Sequence, residues 1–162
     1  MCTRPNREHV KPKRLKDFSY RGRYRYFITI RSHDFNCLLI HEGVVNKALE
    51  ILQSVAEQKR FSIWAYCFMP DHVHLLVEGQ DSNADMRRFV SSFKQRTGYW
   101  YKRTHNSTLW NSNYYEHVLR GDEATVAVAK YIIRNPVRRG LVQDYDSYPY
   151  SGSFELEDIC SL

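Results

Sequence analysis

The sequence predicts an α+β domain, a four-stranded antiparallel sheet with helices packed on it in the ferredoxin-like (RRM-like) arrangement, and an additional C-terminal helix. Three observations carry this expectation. Short β-branched and aromatic runs bounded by turn residues read as strands. Apolar residues at three- and four-residue spacing mark amphipathic helices between them. Together they give the order β-α-β-β-α-β-α, which suits one sheet with helices on it. The 162 residues suffice for one substantial core and not for two.

The elements follow in order. "YRYFITIRS" (24–32) is aromatic and β-branched, a first strand. From residue 43 to about 59, Val44, Val45, Ala48, Leu49, Leu52, Val55 and Ala56 recur at helical spacing. "FSIWAYCFM" (61–69) and "HVHLLVE" (72–78) are strands joined by the tight connection "MPD", and so form a hairpin. A second helix starts near residue 83, with Met86, Phe89, Val90, Phe93, Thr97 and Trp100 along one stripe. Arg87, Arg88, Lys94, Arg96, Lys102 and Arg103 lie elsewhere on it, making a basic surface. "YYEHVLR" (114–120) is a fourth strand. A third helix over 122–134 must stop at Asn135, because Pro136 disfavours helical geometry in the residue before it. This divides the chain into a basic arm (1–18), a folded domain (19–142) and an acidic, polar tail (143–162) expected to be irregular.

Composition narrows the function. Lys and Arg number 24 against 18 Asp and Glu, a net charge of +6, which favours a polyanionic partner, nucleic acid foremost. The longest apolar runs fall well short of a bilayer-spanning helix. Arg4, Arg7, Lys11, Lys13, Arg14 and Lys16 crowd the head without the apolar block of a secretory signal, so a cytoplasmic location is expected. The four cysteines, Cys2, Cys37, Cys67 and Cys160, form no C-x-x-C pair, which argues against a zinc knuckle or a disulfide framework. They read as reduced thiols.

The chemistry is concentrated in "FMPDHVHLLVEG" (68–79). Strand side chains alternate faces, so His72 and His74 point to one side about 7 Å apart along the strand. Two neutral imidazoles on one face can share a divalent ion, but they leave most of its coordination sphere open. "AKYIIRNPVRRGLV" offers more: Tyr131 and Asn135 are four residues apart, one turn apart on a helix that persists that far. Asn135 can give an amide oxygen to a metal, with the Tyr131 phenol beside it. Spacing alone leaves open the plainer reading of a packed tyrosine and a helix-ending asparagine.

The motifs taken together resemble the HUH single-strand endonucleases (histidine, bulky hydrophobic, histidine). They resemble more closely the REP-associated tyrosine transposases and their relatives among single-tyrosine insertion-sequence transposases. The likeness covers most of the chain, through "SYRGRYRYFITI", "FMPDHVHLLVE", "LWNSNYYEHVLR", "YIIRNPVRRGLV" and "YPYSG". By position it implies that His72, His74 and Asn135 hold a divalent metal, and that Tyr131, on the additional C-terminal helix, is the nucleophile. It further implies attack on a single-stranded DNA phosphodiester beside a hairpin, with a 5′-phosphotyrosine, a free 3′-hydroxyl and no high-energy cofactor. Mg²⁺ or Mn²⁺ is the expected ion, since two histidines and an amide lack the thiolates that favour tight zinc.

Among the 12 tyrosines, Tyr131 stands apart because a metal-capable side chain lies one turn away. Tyr99 and Tyr101 read as packing or base-stacking groups, and Trp100 as packing. Asp71 either orients a histidine or shapes the turn. Glu116 and His117 are adjacent on a strand, so at most one faces the histidines. Arg21, Arg23 and Arg25 alternate with aromatics in "YRGRYRY", and the resemblance implies that such a segment helps read DNA beside the hairpin. Arg87 and Lys94 on the basic helix are further DNA-binding candidates. Two other classes stay open: a non-catalytic single-stranded nucleic-acid binding module of similar fold, and a regulatory protein with a structural metal site. The resemblance leaves open both a monomer and a homodimer that exchanges the tyrosine helix, as insertion-sequence relatives can.

Overall fold

Period-two alternation along the central strands gives one sheet two different surfaces. The computed structural model describes residues 15–156; the rest of the expected basic arm (1–14) and the end of the tail (157–162) lie outside the described residues. Strands β1 (Arg25–Ser32), β2 (Phe61–Met69), β3 (His72–Gly79), β4 (Trp110–Leu119) and β5 (Ser151–Gly152) form one antiparallel sheet in the order β4-β1-β3-β2-β5. Helices α1 (Glu42–Lys59), α2 (Met86–His105), α3 (Asp122–Ile133) and α4 (Asn135–Arg138) complete the fold. The expected α+β class and sheet core are present. No described helix is long and apolar enough to cross a membrane.

On one face Tyr26, Ile28 and Ile30 of β1 and Val73, Leu75 and Val77 of β3 pack with Val45, Leu52 and Val55 of α1 and Phe89 and Phe93 of α2. On the other, Cys67, Met69 and Leu76 meet Ala129 and Ile132 of α3. Strand β2 serves both clusters through a register shift between Ile63 and Ala65, where Trp64 is the extra residue. Before it, Phe61 and Ile63 join the first cluster; after it, Ala65 and Cys67 join the second.

Local chemistry sets the ends of the elements, and several differ from the expected ones. Helix α2 begins at Met86 because Asp85 caps it, accepting from the Arg88 backbone N–H at 3.1 Å. Strand β4 begins earlier than expected, at Trp110, whose indole donates to Thr97 Oγ1 at 2.7 Å and ties the strand to α2. The expected stop before Pro136 is a junction rather than an end: α3 finishes at Ile133, and α4 restarts at Asn135 with Pro136 in its first turn. A proline there forfeits no helical hydrogen bond, so the chain continues in helical form.

The tail, expected to be irregular, contributes β5 and a 3-10 turn at Tyr145–Ser147. The Tyr148 hydroxyl donates to Phe68 O at 2.6 Å, and Phe68 N–H donates to Tyr150 O at 2.8 Å. These bonds cover what is otherwise an open edge of β2. Of the cysteines, Cys67 is a buried free thiol, whereas Cys37 is disulfide-bonded rather than reduced. Sequence spacing reports no spatial pairing of cysteines.

Candidate active site

The sheet register builds the site. Antiparallel partners share a face, and Thr29 sits between Tyr115 of β4 and His74 of β3, with Cys67 of β2 beyond, giving a row across four strands. One step along, Arg31 pairs with His72, and His72 with Met69. His72 and His74 therefore share the α3 face, as alternation predicts, and both are buried. Their Nε2 atoms face one another at 3.0 Å.

Each ring is held from behind. Asp71 Oδ1 lies 2.7 Å from His72 Nδ1, and Thr29 Oγ1 lies 2.9 Å from His74 Nδ1. Of its two sequence readings, Asp71 meets the one in which it orients a histidine. Burial works to raise the Asp71 carboxyl, but the hydrogen bond and charge of His72, with Arg139, hold it below the ordinary carboxylate range. Burial chiefly, then the charges of His72, Arg31 and Arg139 against the opposing pull of Asp71, push the His74 imidazole down to about 3. A ring kept neutral in this way is suited to metal ligation.

This donor set fits a divalent ion. Two ligands on adjacent positions of an octahedral ion, each about 2.1 Å away, stand about 3 Å apart, the separation of the two Nε2 atoms. Among the described residues no group of three or more His, Cys, Asp and Glu could hold a metal. Asn135, buried in the first turn of α4, carries an amide oxygen, a donor of the hardness that divalent ions such as Mg²⁺ take.

Tyr131 lies on α3 above the same face. Its ring centroid is 6.0 Å from that of His74 and 6.0 Å from that of Phe27, edge-on to the latter. The guanidinium of Arg138, on α4, lies 4.6 Å from the centre of the Tyr131 ring. Although packed on these groups, Tyr131 is 41% exposed, so a large substrate can reach it. On β4, Tyr115 and His117 pair with Thr29 and Phe27 and face this side, while Glu116 pairs with Ile28 and faces the other. The two adjacent side chains diverge as alternation requires.

The structure thus brings His72, His74 and Tyr131 together, and Asn135 is buried at the start of α4, two residues after α3 ends. Of the DNA-binding candidates, Arg25 pairs with Glu78 at 3.0 Å and donates to Thr125 Oγ1 at 3.1 Å, linking β1, β3 and α3. Lys94 donates to the carbonyls of Asn111 and Ser112 at 2.7 and 2.8 Å, and burial pushes its amine down to about 8. Arg21 bridges to Asp85 at 3.1 Å, Arg87 lies 4.5 Å over the Tyr20 ring, and Arg23 is exposed. Tyr101 is buried and stacks on His105, while Tyr99 is 70% exposed. Sequence reasoning missed Thr29, Arg31, Arg138 and Arg139. The first two belong to the site through sheet register, which spacing within one strand does not reveal.

Residues 19–135 match the family described as Transposase IS200 like. A Haemophilus influenzae protein assigned to the REP-associated tyrosine transposases is 26% identical over 147 residues, 84% of this chain and 82% of that protein. The REP-associated tyrosine transposase of Escherichia coli is 27% identical over 101 residues, 60% of this chain and 57% of that protein. The solved structure of a REP-associated tyrosine transposase bound to a REP hairpin superposes with a TM-score of 0.70 at 20% identity, over 86% of this chain and 81% of that one. At that identity the likeness is one of fold.

Proposed function

The chain belongs to the IS200-like transposases, enzymes that nick and rejoin DNA, and on that premise we propose that it cleaves and transfers single-stranded DNA at hairpin-flanked repeats through Tyr131. The observation that carries this reading is the convergence of Tyr131 on a histidine pair whose Nε2 atoms face each other on one sheet face. The hairpin substrate is supported by the REP hairpin bound to the structural relative.

A divalent ion, Mg²⁺ or Mn²⁺, held by His72 Nε2, His74 Nε2 and the Asn135 amide oxygen would draw charge from the scissile phosphate. The protein's own groups do the rest. Phe27, His74 and Arg138 around the Tyr131 ring hold that ring against the histidine face. Its Oη forms a bond to phosphorus as the P–O3′ bond breaks; the phenol proton leaves and the 3′ oxygen takes one up. The phosphotyrosine keeps the phosphodiester energy, so attack by another 3′-hydroxyl reverses the step and joins strands. Arg31 and Arg139, already felt at His74, supply positive potential for the incoming phosphate.

Arg21, Arg23 and Arg87, on the surface, are suited to backbone phosphates. Arg25 and Lys94 act by fixing α3 and β4 in place. Because Tyr131 meets His74 of its own chain, a monomer working in cis is the assembly this geometry supports. Residues 19–142 form the catalytic domain, and the enzyme works in the cytoplasm, where its DNA is.

The test is a denaturing gel with labelled single-stranded hairpin oligonucleotides from a randomised flank library, with Mg²⁺, Mn²⁺ or chelator. A covalent protein–DNA band that needs the ion is expected. Tight hairpin binding with no adduct under any ion would replace this reading with the non-catalytic binding module.

A further inference from the structure

After proline, glycine is the poorest residue for a helix interior, yet Gly98 stands well inside α2. Its φ is not positive, and a Cβ there would meet Trp110 Cδ1 at 3.9 Å, an ordinary contact. Neither backbone strain nor crowding calls for glycine. The missing side chain leaves open a groove of about 330 Å³ between α2 and the start of β4, lined by Gly98 and the buried Trp110. The indole is pinned there: its Nε1 donates to Thr97 Oγ1 at 2.7 Å, and its ring centroid lies 5.8 Å from that of Phe93.

The rest of the lining matches the chemistry of a nucleotide. Tyr99, 70% exposed, offers an aromatic face, and Gln95 and Asn111 carry amide donors and acceptors suited to the edge of a base. Lys102 brings positive charge, and Lys94 adds more where it closes the β4 end through the Asn111 and Ser112 carbonyls. No acidic side chain lines the groove among the described residues. Ligand sites span roughly 300–1,000 Å³, so this one, at the small end, admits a base and not a duplex. Sheet register sets it near the histidines. Ser32 pairs with Trp110 and donates its N–H to Asp71 O at 2.9 Å, while His33 N–H donates to Leu109 O at 2.8 Å. Two strand spacings, about 10 Å, separate β4 from β3, and β4 is the edge of the sheet. A DNA strand at the histidine pair therefore rounds that edge within a few nucleotides. We propose that the α2–β4 groove is a second DNA site, taking one unpaired base of the single-stranded flank against Tyr99, with Lys102 on its phosphate. The inference rests on the single-stranded DNA reading of the histidine face.

The experiment uses hairpin oligonucleotides with and without randomised single-stranded flanks, in chelator, so that binding is read apart from cleavage. Each flank position in turn carries iodouracil; after irradiation the crosslinked peptide is identified by mass spectrometry. A crosslink from the flank to Tyr99 or Trp110 is expected. Gly98→Leu, which fills the groove, and Tyr99→Ala should each bind the flanked hairpin about 5- to 150-fold more weakly, while Tyr99→Phe keeps most of the affinity. All three should bind the hairpin without flanks as wild type does. Flank crosslinks confined to other residues overturn this site, as does a Tyr99→Ala protein with wild-type affinity for the flanked hairpin, even if Gly98→Leu does not fold. Unchanged DNA binding by Tyr99→Ala with an altered oligomeric state in gel filtration gives the groove to a second copy of the chain instead. Wild type that binds neither oligonucleotide overturns the DNA reading and the groove with it, an outcome told apart because no crosslink forms anywhere.

Discussion

Val73, Leu75 and Val77 point from β3 under α1 and α2, while His72, His74 and Leu76 point from the same strand toward α3. The first face is covered by two long helices and is continuous apolar packing from Tyr26 to Phe93. The second is covered by one helix and the short α4, and that incomplete cover leaves Tyr131 and Tyr115 41% and 49% exposed beside buried imidazoles. Neighbouring residues of one strand therefore answer to different demands. One face supplies stability, and its rigidity holds the rings of the other within hydrogen-bond reach of Asp71 and Thr29.

The sharpest way to break this contrast is Tyr131→Phe. Removing one half-exposed hydroxyl should lower adduct formation by about 10⁴-fold or more, yet leave stability within about 0.5 kcal/mol, as read by single-turnover gels and thermal melts. Leu75→Ala is its mirror image. The fully buried side chain should cost about 2–5 kcal/mol in urea unfolding, while the folded fraction cleaves at a near-normal rate. A large cleavage defect in the folded Leu75→Ala protein would show that the two faces are not separable.

His72→Ala follows in size. It should weaken metal-dependent cleavage by about 10- to 100-fold while sparing most salt-sensitive DNA binding, checked by binding isotherms at several salt concentrations. If that variant cleaves normally, the ligand assignment falls. Acid sensitivity comes next, because His74 is held down to about 3 from an ordinary 6.5. Below pH 6.5 the unfolded chain takes up a proton that the folded ring refuses, so stability is full above that pH and declines as pH falls toward 3. His74→Gln, which cannot titrate, should flatten that limb of the stability–pH curve. The smallest effect is expected from Arg138→Ala: loss of the guanidinium against the Tyr131 ring should slow cleavage only a few-fold, about 0.5–1 kcal/mol, with binding little changed.

What the sequence made legible was what a single period carries. The alternation in "HVH" put His72 and His74 on one face, and helical stripes located α1 and α2. The missed features needed partners from elsewhere in the chain. Thr29 and Arg31 reach the histidines through the β1–β3 register. Lys94 was visible as a cation, but its two carbonyl partners belong to β4. The Pro136 rule predicted a stop where proline at a helix start allowed a restart, so Asn135 opens α4 instead of ending α3. Strand β5 is too short to leave a pattern; the open edge of β2 makes it a strand.

The most direct measurement is to digest a covalent protein–DNA adduct with protease and nuclease and locate the nucleotide by mass spectrometry. The account predicts a nucleotide on the peptide carrying Tyr131, attached through a 5′ phosphate. A nucleotide on the peptide of Tyr115, which shares that face, or of Tyr99, which is more exposed, would contradict it and move the reaction away from the histidine pair.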